Sequence, residues 1–266
     1  MPDRDLLISV SSFGDDSVPV LATAIHNGHF MPAGLLANCG VSEADRLREE
    51  DPHTGEMAAL FPNHIILKTS RFAIDLNRPM EKAVYLEPAD CWGLPVRTRP
   101  PADDLLARLR EDYASWYKLL RYHVERLLAR HPFLVVLDLH SYNHRRGGPL
   151  AEPDPQDANP DIIIGRSNLR QHHYPAAQAL RELLDGQSYL GKALDCRLDV
   201  KFTGGHLSRW LNLNYPDSLI CLAVEFKKTF MDEWSGRVDQ DAFAQLKGIF
   251  CEATRNWLTE FYNIII

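Results

Sequence analysis

The sequence contains no stretch near the roughly 18 uninterrupted apolar residues that a membrane span requires. It also has no run of Lys and Arg, so an electrostatic nucleic-acid binder, which needs a basic face to neutralise phosphates, is not expected. Cysteine is sparse. The five, Cys39, Cys91, Cys196, Cys221 and Cys251, are odd in number and scattered with no C-x-x-C pair, and read as reduced, mostly core thiols. Internal repeats and low-complexity segments are absent. The charged start, Met1-Pro2-Asp3-Arg4-Asp5, lacks the pattern of a secretory signal, so a cytoplasmic location is the default expectation.

What is present describes an ordinary globular chain: 266 residues, 45% hydrophobic, 24% charged, 9% aromatic, with a formal net charge of -7. That length can bury a large core, and without a long linker the expectation is one domain over residues 1–266. The compositional oddity is 11 histidines, several beside Gly, Asp or Ser where apolar runs end. Sites tend to lie at such places.

Apolar, Val/Ile-rich runs predict strands over 6–13, 18–25, 65–68, 133–139, 162–164, 196–202 and 219–226, with 72–76 as a further strand or hairpin arm. Helices are expected over 41–50, 174–184 and 239–262. The clearest runs from about 102 to 130, where Leu106, Leu109, Tyr113, Trp116, Leu120, His123 and Leu127 make a stripe at helical spacing. Residues 77–101 hold five prolines and no clean period, and read as a long functional loop. Alternating elements of this kind predict an α/β fold with a mixed sheet between helices. Ligands in such folds gather at strand carboxyl ends. His26, His140, Gly204-Gly205-His206 and Glu225 all follow or end apolar runs.

Two strand-end histidines plus one carboxylate would complete the three protein ligands of a catalytic zinc; alternatively each caps a strand by hydrogen bonding. Asp138 shares a strand face with His140, being two residues away, and either orients that imidazole or forms an isolated ion pair with it. Glu225 ends a buried strand, where desolvation raises a carboxyl pKa toward the range of a general base; the alternative is a salt bridge to Lys227 or Lys228. Arg71 and Arg78 offer planar forks for carboxylates, or pair with Asp75 or Glu81. His172-His173 reads as surface, and Arg145-Arg146-Gly147-Gly148 as a solvated loop rather than an anion contact.

The order of these segments resembles the N-formylglutamate amidohydrolase family. The matching pieces are His26-Asn27-Gly28, Glu50-Asp51, the S-R-F-x-I-D-L-N-R-P run from Ser70 to Pro79, Asp138-Leu139-His140-Ser141, Phe202-Thr203-Gly204-Gly205-His206 and Val224-Glu225. The run from Ser70 is the most specific. That family is similar in turn to the zinc carboxypeptidase and aspartoacylase group. The resemblance implies a three-layer sandwich with a central mixed, mostly parallel sheet and helices on both faces, like the zinc exopeptidases and phosphorylase/hydrolase folds. It makes His26 and His140 metal ligands, with Asp51 the third and Glu50 its close rival. His29 holds the place of the glutamate in the H-x-x-E pattern of the carboxypeptidases and is another alternative. Asp51 before Pro52 also suits a helix N-cap for a helix over 52–60. Glu225 would be the base, Arg71 a catalytic or substrate contact, and Asn77 with Arg78 a carboxylate grip. Gly204 and Gly205 would let backbone approach a ligand, with His206 and Arg209 as wall residues.

The implied activity is metal-dependent hydrolysis of a small anionic N-acyl amino acid, N-formyl-L-glutamate to formate and L-glutamate, as in histidine degradation. The ion would be zinc first, with manganese, cobalt or iron(II) also accepted by such a ligand set. A deacylase of the aspartoacylase or succinylglutamate desuccinylase type is the other enzymatic reading, and an anion-binding sensor the non-enzymatic one. No nucleic-acid or membrane partner is expected, and the sequence leaves the oligomeric state open.

Overall fold

The computed structural model describes residues 10–266. Seven strands form one sheet: β1 Val10–Phe13, β2 Val20–Ala24, β3 Asn63–Leu67, β4 Leu134–Tyr142, β5 Ile162–Gly165, β8 Cys196–Leu198 and β9 Leu219–Lys227. A separate small hairpin pairs β6 Ser188–Tyr189 with β7 Lys192–Ala193. The helices are α1 Ala33–Leu36, α2 Glu43–Glu49, α3 Thr54–Ala58, α4 Asp103–Leu128, α5 Tyr174–Leu184, α6 His206–Asn214 and α7 Gln240–Tyr262. Among the described residues no helix is long and apolar enough to cross a membrane.

The sheet order is β1-β3-β2-β4-β9-β5-β8. β3, β2, β4 and β9 run parallel, while β1 at one edge and β5 at the β9 side are antiparallel to their neighbours. β4 and β9 are buried along nearly their whole length, which is why they read as continuous apolar runs. Alternation divides the core into two layers. Val135, Leu137 and Leu139 of β4 and Ile220, Leu222 and Val224 of β9 pack with α5 and α7, whereas Leu134, Val136, Leu219 and Cys221 pack with α4 and α6. The mixed three-layer architecture is the expected one.

The differences from expectation have local causes. Residues 6–9 of the first predicted strand lie outside the described residues. Residues 72–76 form no strand; Ser70 O accepts from Ala73 N and Ile74 N, so the chain turns there, and the apolar run is buried beneath the turn. Asp51 does not cap a helix at 52–60. The short α3 starts at Thr54, its N-cap is His53 in the left-handed region, and Thr54 Oγ1 donates to the Asp51 backbone oxygen, leaving that carboxylate for other use. In α4, Leu105, Tyr117 and Val124 are buried while Leu106 and His123 are half-buried, a small rotation of the predicted stripe. β8 stops at Leu198, and α6 was not anticipated.

The direction of β5 also corrects one step of the sequence argument. β8 is parallel to β5 and therefore opposite to β9, so its carboxyl end points away from that of β9. Gly204 and Gly205 reach the site along the loop after β8, which reverses through left-handed residues at Asp199 (φ 55°) and Lys201 (φ 61°). Asp199 holds this turn by accepting from the backbone N–H groups of Arg166 and Ser167.

Candidate active site

The polar site grows out of the α4-facing layer of the sheet. Along β4 the residues 134, 136, 138 and 140 share one side, and Leu134 and Val136 give way to Asp138 and His140. On β9 the same side reads Leu219, Cys221, Ala223 and Glu225, and Glu225 is the register partner of His140. His26 lies two residues past β2, and Asp51 follows α2, its N–H donating to the His26 backbone oxygen at 2.9 Å. Parallel pairing thus brings together residues up to two hundred positions apart in sequence.

His26, Asp51 and His140 are buried, and their candidate ligand atoms lie within 4.8 Å of one another. Both imidazoles turn Nδ1 toward the same oxygen, Oδ2 of Asp51, at 3.4 Å from His26 and 3.0 Å from His140. Both turn Nε2 toward a fully buried carboxylate, His26 to Asp75 at 2.7 Å and His140 to Asp138 at 3.1 Å. Thr23 Oγ1 donates to the other oxygen of Asp138 at 2.9 Å.

These partners test whether a metal fits. An Nε2–H donated to Asp75 or Asp138 leaves each neutral ring with a bare Nδ1 lone pair. Two such lone pairs and a carboxylate oxygen then converge on one point. Without a cation they must share a proton there. Accordingly, although burial pushes the Asp51 carboxyl up, the hydrogen bonds from His140 and His26 outweigh it and hold the group well below the usual carboxylate range. Burial pushes His140 down, but the charge and hydrogen bond of Asp138 raise it well above an ordinary histidine. The set, two imidazoles and one carboxylate with each ring oriented from behind, fits a divalent ion.

The rivals for the third ligand are engaged elsewhere. Glu50 accepts from Ser70 Oγ and faces His29 Nδ1, and His29 is within 3.5 Å of Glu43. Glu50 and its neighbour Asp51 project oppositely from an extended backbone, so only Asp51 joins the histidines. Neither neighbouring lysine pairs with Glu225: Lys227 pairs with Asp161 at 2.8 Å, and Lys228 donates to the backbone oxygens of Arg48 and Glu50 and to Asn143. Burial pushes the Glu225 carboxyl up to about 7. Lys228, with all three donors spent, pins the segment that carries Asp51.

These groups line a cavity of about 350 Å³, which also takes in Arg71, Asn77, Arg78, Gly204 and Gly205. Arg71 donates to Asp75 Oδ2 at 3.1 Å, and Arg78 Nε is 3.7 Å from the same oxygen, so both arginines pair with Asp75 while lining the cavity. Asp75 is the residue that sequence reasoning undervalued, since it receives His26, Arg71, Tyr85 and the Asn77 N–H on one buried carboxylate. The acidic position inside the Ser70 to Pro79 run, flanked by apolar residues, was the available signal.

Two corrections concern the Gly-Gly-His segment. A Cβ on Gly205 would lie 2.2 Å from the Asn77 amide, so this glycine admits Asn77 rather than a ligand. His206 starts α6 with its N–H donating to Asn77 O and its ring against Tyr117, and Arg209 is exposed and donates to Asn168; neither is among the cavity's lining residues. The arginine pair of the 142–159 loop also behaves differently from expectation. Arg145 pairs with Asp232 at 2.8 Å, but Arg146 lines the cavity, and so do Glu49, Trp92 and Lys201.

Comparison with known proteins agrees with this geometry. Among solved structures, the N-formylglutamate amidohydrolase from Ralstonia eutropha JMP134 matches with a TM-score of 0.70 at 17% identity, covering 94% of this chain and 96% of that one. A gene product of Agrobacterium tumefaciens matches with a TM-score of 0.68 at 18% identity, covering 96% of each chain. At these identities the likeness shows the fold. No curated protein sequence matches the chain. The family model for N-formylglutamate amidohydrolase matches residues 18–231, a span that holds every member of the buried cluster together with Glu225 and the arginines. The chain belongs to the N-formylglutamate amidohydrolase family, and so to the hydrolases.

Proposed function

We propose that this protein hydrolyses the amide bond of N-formyl-L-glutamate, releasing formate and L-glutamate, with a divalent ion, zinc foremost, held by His26, Asp51 and His140. The observation that carries the reading is the convergence of two Nδ1 atoms and one carboxylate oxygen beside Glu225 in a cavity lined by arginines. We further take the reaction to belong to histidine degradation in the cytoplasm, as the family resemblance implies.

When bound, the ion supplies Lewis acidity, lowering the pKa of a water toward about 7 and polarising the scissile carbonyl. Glu225 accepts a proton as the water adds to the carbonyl carbon and the new C–O bond forms, then delivers that proton to the amine nitrogen as the C–N bond breaks. A carboxyl pushed up to about 7 is matched to both halves of that transfer. Arg71 faces the negative charge developing on the carbonyl oxygen. Asn77 and Arg78 hold the α-carboxylate. Asp75 and Asp138 fix the tautomer of each imidazole.

The test is formate release by the purified protein, paired with elemental analysis for bound metal. The expected result is stoichiometric metal and a kcat/KM for N-formyl-L-glutamate above those for N-acetyl-aspartate and N-succinyl-glutamate. A preference for either of the latter would assign the aspartoacylase or desuccinylase reaction instead. Tight binding of acidic ligands without turnover in metal-loaded protein would make the chain a sensor.

A further inference from the structure

Trp92 lines the cavity yet keeps 49% of its surface exposed, an unusual state for the largest apolar side chain. Its backbone lies in the left-handed region at φ 48°, followed by Gly93 at φ 82°. A bulky residue adopts that conformation only where its surroundings enforce it. The loop does enforce it: Glu87 and Asp90 cap each other across the short turn Pro88–Asp90, Gly93 N donates to Pro88 O at 2.8 Å, and Cys91 is buried beneath.

What the ring faces is two guanidinium groups, Arg71 at 4.8 Å and Arg146 at 5.9 Å from its centroid. Both are tied from behind by Glu49. Its backbone oxygen accepts from Arg71 at 3.4 Å, and its carboxylate takes Arg146 through Nη1 and Nη2 at 3.3 and 3.2 Å. The same carboxylate is 3.5 Å from Arg48 Nε, so one negative charge is divided between two arginines. Arg146 therefore keeps both net charge and N–H donors beyond the two spent on Glu49.

We infer that Arg146, held against the ring of Trp92, is the subsite for the second carboxylate of the substrate, and that this pair sets the preference for a diacid over a monoacid. The inference rests on the proposed reaction for the identity of the reacting amide. The indole, 5.9 Å from the guanidinium, favours the cation on its side of the cavity, and the fork on Glu49 orients its remaining donors. Trp92 acts through Arg146 and is a positioning residue.

The experiment compares Trp92→Ala, Trp92→Phe and Arg146→Gln with the parent on N-formyl-glutamate and on N-formyl-glutamine, which has the same shape without the second charge. Zinc-loaded protein is also titrated calorimetrically with glutarate, a dicarboxylate that cannot react. Arg146→Gln is expected to raise KM for N-formyl-glutamate roughly tenfold with kcat little changed, to weaken glutarate by the same factor, and to leave KM for N-formyl-glutamine where it was. Trp92→Ala should weaken glutarate by the same factor and also lower kcat on both substrates, because its ring lies 4.8 Å from Arg71 as well; Trp92→Phe should restore most of both losses. Equal KM increases on both substrates for Arg146→Gln, or glutarate affinity unchanged in Arg146→Gln and Trp92→Ala, would overturn the inference. If the parent leaves N-formyl-glutamate intact but binds glutarate in a Trp92-dependent way, the proposed reaction falls and the subsite stands.

Discussion

Asp75 shows how much of the site depends on a side chain that need not touch the substrate. It binds His26 Nε2 and at the same time shares its one charge between Arg71 and Arg78. Asp75→Asn keeps the shape but removes the charge that fixes the His26 tautomer, and we expect metal affinity to fall about 10–100-fold, measured by competition with a chromogenic chelator. Unchanged affinity would remove Asp75 from the ligand support. Glu225 makes a prediction with a sign. Its folded pKa of about 7 is raised above the ordinary 4.5, so the folded state binds the proton more tightly than the unfolded one. The contribution of this group to stability is therefore fully present below about 4.5 and is lost as pH rises through about 7. Glu225→Gln should then be more stable than the parent at pH 8, by on the order of 1–3 kcal/mol, with the difference vanishing toward pH 4. The same substitution should abolish the acidic limb of kcat/KM, which in the parent lies at or below about 7 because a bound cation pulls the carboxyl down. Denaturation scans at the two pH values and a pH-rate profile check both, and a parent profile flat from pH 5 to 8 would contradict the assigned base.

The sequence foretold these residues unequally. His26, His140 and Glu225 were visible because each follows or ends an apolar run, and Asp138 because it stands two residues from His140 on one strand face. Asp51 needed the family resemblance, since a carboxylate before proline looks equally like a cap. Arg146 and Trp92 were not legible. They sit in segments without periodicity, and what brings them to the cavity is pairing with Glu49 and a left-handed turn, neither of which leaves a spacing in the chain.

At the scale of elements, long regular segments followed their patterns and short ones did not. The stripe of α4 and the buried runs of β4 and β9 are dictated by burial along many residues, which a local accident cannot overturn. The run from Phe72 to Leu76 is apolar because it is buried, and a buried turn carries the same composition as a buried strand. α6 escaped notice because it is short and opens after two glycines. Its position depends on Gly205. Replacing that residue by alanine drives a Cβ into the Asn77 amide, whose oxygen accepts from the Leu207 N–H. We expect Gly205→Ala to destabilise the fold by about 1–3 kcal/mol and to raise KM through the displaced Asn77. An unaltered melting temperature and KM would show that the amide moves aside without consequence.

For the whole molecule, the net charge of -7 would oppose the approach of the proposed anionic substrate, so on that reading capture has to be local, on the arginines around the cavity. The cysteines make a second prediction at this scale. All five are free, with Cys91, Cys196 and Cys221 buried and Cys39 and Cys251 half-buried. Ellman's reagent should label Cys39 and Cys251 in the native protein and the other three only on unfolding. Fast labelling of all five would mean that the core opens readily. Reductant should leave the melting temperature unchanged.

The place of β9 in the sheet bears on the order in which the protein comes to life. It is the last strand of the sheet in sequence, yet it fills a slot between β4 and β5. A chain emerging from the ribosome therefore carries His26, Asp51 and His140 well before it carries Glu225. The gap between β4 and β5 must stay open until residues 219–227 arrive to close it. Sheet completion and delivery of the proposed base are one event. A partly made chain would hold the proposed ligand set without Glu225, so on the proposed mechanism hydrolysis would belong to the finished fold alone.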